Sequence, residues 1–391
     1  MDFPKKLQDK LLARKENNSF RVLPTVKNIV DFSSNDYLGF ANSEIIYKQA
    51  HQFLIENNLK KNGATGSRLL SGNNKLFEEV ERFLGDFHNS ETASIFNSGY
   101  AANLGFFGTF PQRGDVILYD ELIHASIRDG MQLSNAKSFK FKHNDLNSLE
   151  EMLNRVQHNN SALYVVTESV FSMDGDAPDL VAMAESCKKH NAFFVVDEAH
   201  AVGVFGGGLV QKNNLQDAVF ARIVTFGKAM GCHGAAILGS SELKEYVVNF
   251  ARSFIYTTAL SPHSLATIRF AYNELLNVSL SDTDENPHCI ENAQKRLKAT
   301  IQHFKQEVKR LDLDFIHSES AIHCCIISGN SNVKEISNQL QQKGFNVKAV
   351  LFPTVPEGKE RLRFCLHSYN TEQDITSVLE TLHLLLNKKV L

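Results

Sequence analysis

Apolar residues in the middle of the chain form short, nearly unbroken runs and do not alternate with polar ones. These runs predict strands at 115–119, 162–167, 192–197, 221–225 and 235–239. Strands that are apolar on both faces are typical of a mostly parallel sheet covered by helices on each side. The stretches between the runs have helical periodicity. They predict helices at 123–133, 146–156 and 178–190.

The pattern changes after about residue 280. The segment SDTDENP at 281–287 is polar and contains a proline, as linkers commonly do. We expect a smaller α+β domain beyond it, with helices at 289–311, 333–343 and 372–386 and strands at 321–328, 346–350 and 362–366. The sequence thus predicts an N-terminal arm (1–45), a large domain (46–280) and a small C-terminal domain (281–391).

Composition and charge are those of an ordinary globular protein. The chain has 391 residues, 43% hydrophobic and 22% charged, with a formal net charge of -3. Such a balance gives no bulk attraction to nucleic acid or to an anionic membrane. The chain has no run of 18 apolar residues, as a membrane span would require, and its first 18 residues are rich in charged side chains and lack the apolar segment of a signal peptide. We therefore expect a soluble cytoplasmic protein. Six cysteines without a CxxC pair favour buried, reduced thiols.

An aspartate and a lysine follow two of the predicted strands. Asp197 ends the apolar run in FFVVDEAH, and Lys228 follows the next run in VTFGKAMG. In open α/β sheets ligands bind beyond the carboxyl ends of the strands, so both side chains are placed for chemistry. An amine that condenses with an aldehyde and a carboxylate that pairs with a pyridine nitrogen suit pyridoxal phosphate. The alternatives are a capping loop carboxylate and a solvated surface lysine.

Three further features follow strand ends. The turn Ser98-Gly99-Tyr100 opens a predicted helix, whose free N–H groups are able to hold a phosphate. The imidazole of His124 is able to stack on a flat ring, and Ser172 lies in the loop after the strand that ends near 167. Each also suits a purely structural role. Without a GxGxxG or GxxxxGK[ST] motif, the convergence of these groups favours pyridoxal phosphate over a dinucleotide or a nucleoside triphosphate.

Eight short segments, distributed over nearly the whole chain, occur in the order known from one enzyme family. They are SSNDYLGF (33–40), FNSGYAANLGF (96–106), YDELIHAS (119–126), TESVFSMDGDAPDL (167–180), VVDEAHAVGVFG (195–206), VTFGKAMGCHGAAILGS (224–240), FIYTTALSP (254–262) and PTVPEGKERLRF (353–364). With these segments the chain resembles the α-oxoamine synthases, which are fold-type-I pyridoxal-phosphate enzymes. The resemblance implies a large domain with a mostly parallel central sheet, a smaller C-terminal α+β domain, and a homodimer with active sites shared between subunits.

The resemblance also implies roles for single residues. Lys228 would form the Schiff base with pyridoxal phosphate, Asp197 would pair with the pyridine nitrogen, and His200 would contact the ring O3′. His124 would stack on the ring. The remaining cofactor contacts would come from Gly99, Tyr100, Ser172, Thr225 and, from the partner subunit, Thr258.

For the substrates, the resemblance implies that Asn35 and Arg363 hold the amino-acid carboxylate, which suits the two-pronged donors of a guanidinium. Arg21 and Thr354 match positions that bind the acyl substrate; for Arg21 the alternative is a solvated terminal arm. The chain departs from the family at Phe77 and Asn370, where histidine is usual, and at VFGGG, which lacks the common Gly-Arg-Gly ending. These departures leave the choice of acyl chain open.

The implied reaction is a decarboxylative condensation of an amino acid with an acyl thioester. PTVPEGKERLR favours the branch that joins L-alanine to pimeloyl-CoA, or to a pimeloyl carrier protein, in biotin biosynthesis. Thr354 argues against the glycine and acetyl-CoA branch, which tends to have valine there. The succinyl-CoA branch, a serine palmitoyltransferase and an aminotransferase of the same fold stay open. A scaffold without catalysis would predict loss of Lys228, Asp197 or Arg363, and all three are present.

Overall fold

The computed structural model describes residues 3–23, 28–156, 161–280 and 293–387. Its helices are α1 (Lys5–Glu16), α2 (Glu44–Glu56), α3 (Lys75–Phe87), α4 (Gly99–Phe107), α5 (Ala125–Leu133), α6 (Leu146–Arg155), α7 (Leu180–Lys189), α8 (Leu209–Lys212), α9 (Ser241–Phe250), α10 (Arg252–Ile255), α11 (Pro262–Leu280), α12 (Ala293–Arg310), α13 (Asn330–Gln342) and α14 (Glu372–Asn387). Its strands are β1 (Val30–Asp31), β2 (Thr92–Phe96), β3 (Val116–Asp120), β4 (Lys137–Phe141), β5 (Leu163–Glu168), β6 (Phe193–Asp197), β7 (Ala221–Thr225), β8 (Ala235–Gly239), β9 (Ile322–Ile326), β10 (Phe345–Asn346), β11 (Lys348–Val350) and β12 (Arg361–Cys365).

Contacts between Cα atoms divide the chain into two compact units. The larger unit comprises 35–172 and 177–294, and the smaller one comprises 1–34, 173–176 and 295–391. The linker expected at 281–287 lies outside the described residues. The division into an arm, a large domain and a small domain, with boundaries at 45 and 280, stays a prediction.

The larger unit is built around a seven-stranded sheet with the order β2-β8-β7-β6-β5-β3-β4. The strands from β7 to β4 run parallel, whereas β8 is antiparallel to both of its neighbours. Two apolar cores pack on opposite faces of this sheet, one against α4 and α5 and the other against α6 and α7. The predicted mostly parallel sheet covered by helices is therefore confirmed, and the five strands predicted for it (β3, β5, β6, β7 and β8) begin and end within one residue of the predicted limits.

One strand of this sheet, β4, does not follow from apolar runs. Its first four residues are exposed and only Phe141 is buried. This composition is possible because β4 lies at an edge of the sheet, where one side of the strand has no neighbour.

The ends of the helices bring polar groups to the sheet edge. Helix α5 begins at Ala125, two residues later than predicted, because the imidazole Nδ1 of His124 caps it by accepting the N–H of Ser126. His124 therefore lies outside the helix, in the connection from β3. Ser98 caps α4 in the same way, by accepting the N–H of Ala101 on its hydroxyl.

The smaller unit holds a three-stranded antiparallel sheet, β11-β12-β9, and a parallel pair of β1 with β10. The strand expected at 346–350 is divided at Val347, because Asn346 pairs with β1 whereas Lys348 pairs with β12. Helix α14 is capped by Thr371, with hydrogen bonds between Thr371 and Asp374 in both directions.

The five cysteines within the described ranges are all buried free thiols, as expected from the sequence. Of the helices in those ranges, none combines the length and the apolar character that a membrane span requires.

Candidate functional site

Polar side chains stand in a row along one edge of the seven-stranded sheet. Asp120, Glu168 and Asp197 are the last residues of β3, β5 and β6, and all three are buried. Thr225 ends β7, and Lys228 follows it by three residues. Because β3, β5, β6 and β7 are parallel neighbours, these groups meet at their common carboxyl edge, where α/β sheets bind ligands.

The carboxylate of Asp197 accepts a hydrogen bond on each oxygen. The backbone N–H of Ala199 donates to Oδ1 and the side-chain amide of Asn103 donates to Oδ2, both at 2.9 Å. The residue is only 5% exposed. Donors on both oxygens fix the direction of a buried carboxylate. Asp197 is thus a negative charge of defined orientation, as a protonated pyridine nitrogen requires.

The amine of Lys228 begins a chain of hydrogen bonds with one consistent direction. Its Nζ lies 2.7 Å from Nε2 of His200, and Nδ1 of His200 lies 2.7 Å from the hydroxyl of Tyr37. That hydroxyl donates to the Oδ1 of Asn35 at 3.0 Å. A charged lysine only donates, so His200 accepts on Nε2 and carries its own proton on Nδ1. The order of donors is therefore Lys228, His200, Tyr37.

His124 lies next to these polar groups, and the Nδ1 edge of its ring faces Ser126. Nδ1 lies 2.7 Å from the hydroxyl of Ser126, which is buried, while the residue as a whole is exposed. Desolvation of the ring lowers the pKa of His124; Asp197 opposes this effect and Lys228 adds to it. A neutral, exposed imidazole face is suited to stack on a flat ring.

Glu168 is another carboxyl group in this row, and it was not among the residues predicted from the sequence. It is 3% exposed, and its Oε1 accepts the backbone N–H of His124 at 2.5 Å. Burial, with the neighbouring negative charge of Asp197, raises the pKa of Glu168 to about 8. At neutral pH Glu168 is therefore mainly protonated.

The start of α4 faces the end of β7. A methyl group added to Gly99 would lie 3.5 Å from the side chain of Thr225, so the two positions are neighbours. The amides of Gly99 and Tyr100 belong to the first helical turn, where the helix itself offers no acceptor. Together with the Thr225 hydroxyl they form a seat for an anionic group. The hydroxyl of Tyr100 donates to Asp129 at 2.5 Å, which raises the pKa of Tyr100.

Two other predicted cofactor contacts lie near this seat in sequence. Ser172 is half-buried and follows the end of β5 by four residues. Thr258 is exposed, and its carbonyl accepts the side-chain amide of Asn97 at 2.7 Å. Asn97 immediately precedes Ser98, the cap of α4. Within one chain, Thr258 is therefore hydrogen-bonded to the residue that comes just before the anion-binding start of α4.

The predicted substrate contacts of the smaller unit are two exposed residues and one buried residue. Arg21 donates to the hydroxyl of Thr354 at 3.4 Å, so the two positions expected to bind the acyl substrate are neighbours. Arg363 lies in β12, is 7% exposed, and donates from Nη1 to the thiol of Cys365 at 2.8 Å. A buried guanidinium in this position is suited to take a carboxylate.

The departures from the family pattern have local structural reasons. Phe77 is buried, and the guanidinium of Arg68 lies 4.1 Å from its ring centre. Asn370 accepts the N–H of His367 and donates to the carbonyl of Asp31, so it closes a turn. Gly208 leaves space for a carboxylate: a methyl group there would lie 2.5 Å from Glu198.

Four residues that contact the predicted site were not predicted from the sequence: Tyr37, Asn103, Ser126 and Glu168. Two carry a signal that reasoning from the sequence could have used. Asn103 is the only amide side chain in the apolar helix segment GYAANLGFF, and Glu168 ends a strand as Asp197 does. The partners of Tyr37 and Ser126 depend on tertiary contacts that no local pattern encodes.

Comparisons with known proteins all indicate the same enzyme family. A sequence profile described as "Aminotransferase class I and II" matches residues 27–382. The 8-amino-7-oxononanoate synthase of Emericella nidulans is 39% identical, over 97% of this chain and 96% of its own. The putative 8-amino-7-oxononanoate synthase of Bacillus mycoides is 36% identical, over 94% of this chain and 93% of its own.

Two solved structures are similar over most of the chain. Serine palmitoyltransferase from S. paucimobilis, with a bound PLP-myriocin aldimine, gives a TM-score of 0.87 at 25% identity and covers 100% of both chains. The 8-amino-7-oxononanoate synthase of Francisella tularensis gives 0.76 at 26% identity, over 93% of this chain and 99% of its own.

Proposed function

Because the chain belongs to the α-oxoamine synthases, within the class I and II aminotransferase family, we propose that it condenses L-alanine with a pimeloyl thioester. The product is 8-amino-7-oxononanoate, and CoA (or a carrier protein) and CO₂ are released. The enzyme class, an acyltransferase that depends on pyridoxal phosphate, follows from the relatives. Their names also support the pathway, which is biotin biosynthesis.

The residues present fit pyridoxal phosphate. The site offers an amine at Lys228, a buried carboxylate at Asp197 that is fixed by two donors, and an anion seat formed by Gly99, Tyr100 and Thr225. When bound, pyridoxal phosphate supplies an aldehyde that captures the amino acid and a protonated ring that withdraws electrons from its α-carbon.

The side chains of this chain then have distinct tasks. Lys228 Nζ would hold the aldehyde carbon in the resting enzyme and remove the α-proton of alanine when substrate is bound. Asp197 would keep the proton on the pyridine nitrogen. His200 accepts a hydrogen bond from Lys228 Nζ and so orients the amine. His124 would cover one face of the ring, and Ser172 would lie beside the cofactor.

Four further residues would bind the substrates. Asn35 and Arg363 would hold the carboxylate of alanine, and Arg21 and Thr354 would bind the acyl donor. A carbon–carbon bond then forms between the α-carbon and the thioester carbonyl while the carbon–sulfur bond breaks. The carboxyl group of alanine leaves as CO₂, and a proton takes its place on the former α-carbon.

The observation that carries this proposal is the approach of the Lys228 amine to His200, 2.7 Å away, at the same sheet edge as the buried Asp197. Most lysines lie exposed to solvent instead. The choice of alanine and pimeloyl thioester rests on the relatives at 39% and 36% identity, whose names specify that product.

A second candidate has a specific observation in its favour. The TM-score to serine palmitoyltransferase, 0.87, exceeds that to the Francisella 8-amino-7-oxononanoate synthase, 0.76. This likeness supports condensation of serine with palmitoyl-CoA as the alternative. The same site residues would serve both reactions, so only the substrates separate the two candidates.

The assembly and the location are part of the proposal. Two chains would form a homodimer in which Thr258 of one chain completes the phosphate seat of the other. The enzyme would act in the cytoplasm, since its expected substrates are small, charged metabolites.

The test is a thiol-release assay on the purified protein with pyridoxal phosphate. Alanine, glycine and serine are each combined with acetyl-, succinyl-, pimeloyl- and palmitoyl-CoA, and alanine is also combined with a pimeloyl carrier protein. We expect the highest rate with alanine and a pimeloyl donor. Turnover confined to serine with palmitoyl-CoA would establish the second candidate. Amino transfer from L-glutamate without thiol release would contradict both.

Absorption spectra test the cofactor site directly. The protein with pyridoxal phosphate should be yellow, and Lys228→Ala should lose the visible band and the activity. Lys188→Ala, in which an exposed lysine on α7 is replaced, should retain both. A protein that stays colourless with added pyridoxal phosphate contradicts the assignment of Lys228.

A further inference from the structure

We propose that Asn103 is a positioning residue, whose amide links Asp197 to His124 and, through Ser126, fixes which nitrogen of the His124 ring carries the proton. The inference deepens the proposed function and rests on it, because both linked residues would contact the cofactor ring. All four side chains belong to the larger unit.

The link begins at the centre of α4. Asn103 is 2% exposed, and its Nδ2 donates to Oδ2 of Asp197 and to the hydroxyl of Ser126, each at 2.9 Å. The orientation of the amide follows from the partners, since an ionised carboxylate only accepts hydrogen bonds. The nitrogen must therefore face Asp197. Its second proton goes to Ser126, whose oxygen is then an acceptor.

The proton of the Ser126 hydroxyl is left for His124. The hydroxyl lies 2.7 Å from Nδ1 of His124, and the backbone N–H of Ser126 donates to the same nitrogen at 3.2 Å. An imidazole nitrogen that accepts hydrogen bonds carries no proton. The neutral ring therefore bears its proton on Nε2.

The charged groups around His124 agree with a neutral ring. Desolvation is the largest influence and lowers the pKa of His124; Asp197 raises it, Lys228 lowers it, and Asp129 raises it. The neutral ring is the form that the donors at Nδ1 stabilise. The same amide thus sets the tautomer of the stacking ring and the direction of the carboxylate opposite the pyridine nitrogen.

Helix packing alone does not account for an asparagine at 103. Its Oδ1 is buried and accepts no hydrogen bond from any residue that the structure describes. A buried carbonyl without a donor destabilises the fold. An apolar residue of similar size would avoid this loss, so the two donors on Nδ2 are what the asparagine contributes.

The test is nitrogen NMR on protein labelled with ¹⁵N-histidine, measured with and without pyridoxal phosphate. Protonated and unprotonated ring nitrogens have distinct shifts, and the signals missing in His124→Asn identify that ring. In the unaltered protein we expect Nδ1 of His124 to be unprotonated and Nε2 to be protonated. Ser126→Ala, which removes the stronger donor, should give a mixture of tautomers.

A second variant examines Asn103 itself. Asn103→Leu keeps the size of the side chain and removes both donors. We expect a mixture of tautomers at His124, together with at least a tenfold rise in the dissociation constant of pyridoxal phosphate, because Asp197 loses a hydrogen bond. If Asn103→Leu does not fold, Ser126→Ala still decides the tautomer, since it removes a single oxygen.

The matched control is Ser94→Ala. Ser94 is buried in β2, and its hydroxyl has no hydrogen-bond partner within the described ranges. The substitution deletes the same atom as Ser126→Ala in the same unit, so we expect no change at His124 and no change in cofactor affinity.

A proton on Nδ1 of His124 in the unaltered protein would overturn the proposal, as would an unchanged tautomer in Ser126→Ala. Failure of the proposed function gives a different result. In that case thiol release or cofactor binding is absent in the unaltered protein, whereas the tautomer of His124 still responds to Ser126→Ala.

Discussion

Glu168 and Asp197 are directly paired in register on the parallel strands β5 and β6, so their carboxyl groups end the two strands side by side. Both residues are buried. Two adjacent carboxyl groups in a desolvated site do not both ionise at neutral pH. Asp197 has donors on both oxygens, whereas Glu168 accepts the single N–H of His124. The proton therefore stays on Glu168.

This pair predicts a pH-dependent stability. Burial and Asp197 raise the pKa of Glu168 from 4.5 to about 8. Between these values the folded protein keeps a proton that the unfolded chain releases, so the free energy of unfolding falls as the pH rises through this range. Glu168→Gln has no such proton. Its stability relative to the parent should therefore rise by about 4 kcal/mol from about pH 5 to about pH 9.

Denaturant unfolding of the two proteins at several pH values, before pyridoxal phosphate is added, measures this difference. Glutamine retains the oxygen that accepts the N–H of His124, so its hydrogen bond is preserved. Stability profiles of parent and variant that run parallel across this range would show that Glu168 is ionised at neutral pH.

We expect Glu198, which follows Asp197 in the sequence, to stabilise the fold and not to contact the cofactor. Variants of Asp197 and Glu198 should therefore have different effects on stability and on cofactor binding. Glu198 is fully buried and binds the guanidinium of Arg222, which is also buried, at 2.7 Å. Glu198→Gln leaves that cation without its counter-charge, so we expect a loss of roughly 3 kcal/mol of stability. Asp197→Asn should instead lose activity and cofactor affinity with a smaller change in stability.

Unfolding curves and absorption spectra of both variants check this contrast. The double variant Glu198→Gln with Arg222→Met removes both charges and should recover part of the lost stability. A Glu198→Gln protein of parental stability, or one that folds normally and no longer binds pyridoxal phosphate, would contradict the structural role.

Apolar runs were sufficient to locate the strands of the sheet centre, because these strands are buried on both faces. Asp197, which ends one such run, and Lys228, which lies three residues after another, could therefore be assigned to one edge of the sheet. The strand β4 has an exposed, polar surface and escaped this reasoning. So did the pairing of Tyr37 with His200, which are 163 residues apart and meet only through the tertiary fold. Sequence motifs identify the residues that would contact the cofactor more readily than those that orient them.

The hydrogen bond between Arg21 and Thr354 predicts selective effects on the acyl donor. Both side chains are exposed, and they belong to the smaller unit. Arg21→Gln removes the charge, and Thr354→Val removes the hydroxyl at nearly the same volume. We expect each variant to raise KM for the pimeloyl donor about threefold to tenfold, equivalent to about 1 kcal/mol for one hydrogen bond. The KM for alanine and the absorption spectrum should not change.

Steady-state kinetics with each substrate varied in turn provide the measurement. Arg14→Gln is the matched control, because Arg14 is an arginine of the same N-terminal segment whose guanidinium contacts only the carbonyl of Ser19 among the contacts described. Equal KM values for the acyl donor in Arg21→Gln and the parent would mean that Arg21 belongs to a solvated terminal arm and does not bind the acyl donor.

The hydroxyl of Tyr37 predicts an effect on proton removal by Lys228. It accepts the proton of His200 Nδ1, which leaves Nε2 of His200 able to accept from Lys228 Nζ. In Tyr37→Phe this acceptor is lost, so the ring of His200 also populates the tautomer with its proton on Nε2, which repels a protonated amine. We expect kcat to fall about tenfold, as for one hydrogen bond at a reacting group, with little change in cofactor affinity.

Replacement of the α-hydrogen of alanine by deuterium should then slow Tyr37→Phe more than the parent, because proton removal becomes rate-limiting. A fall in cofactor affinity without a change in this isotope effect would mean that Tyr37 supports the fold of the site and does not act on the proton.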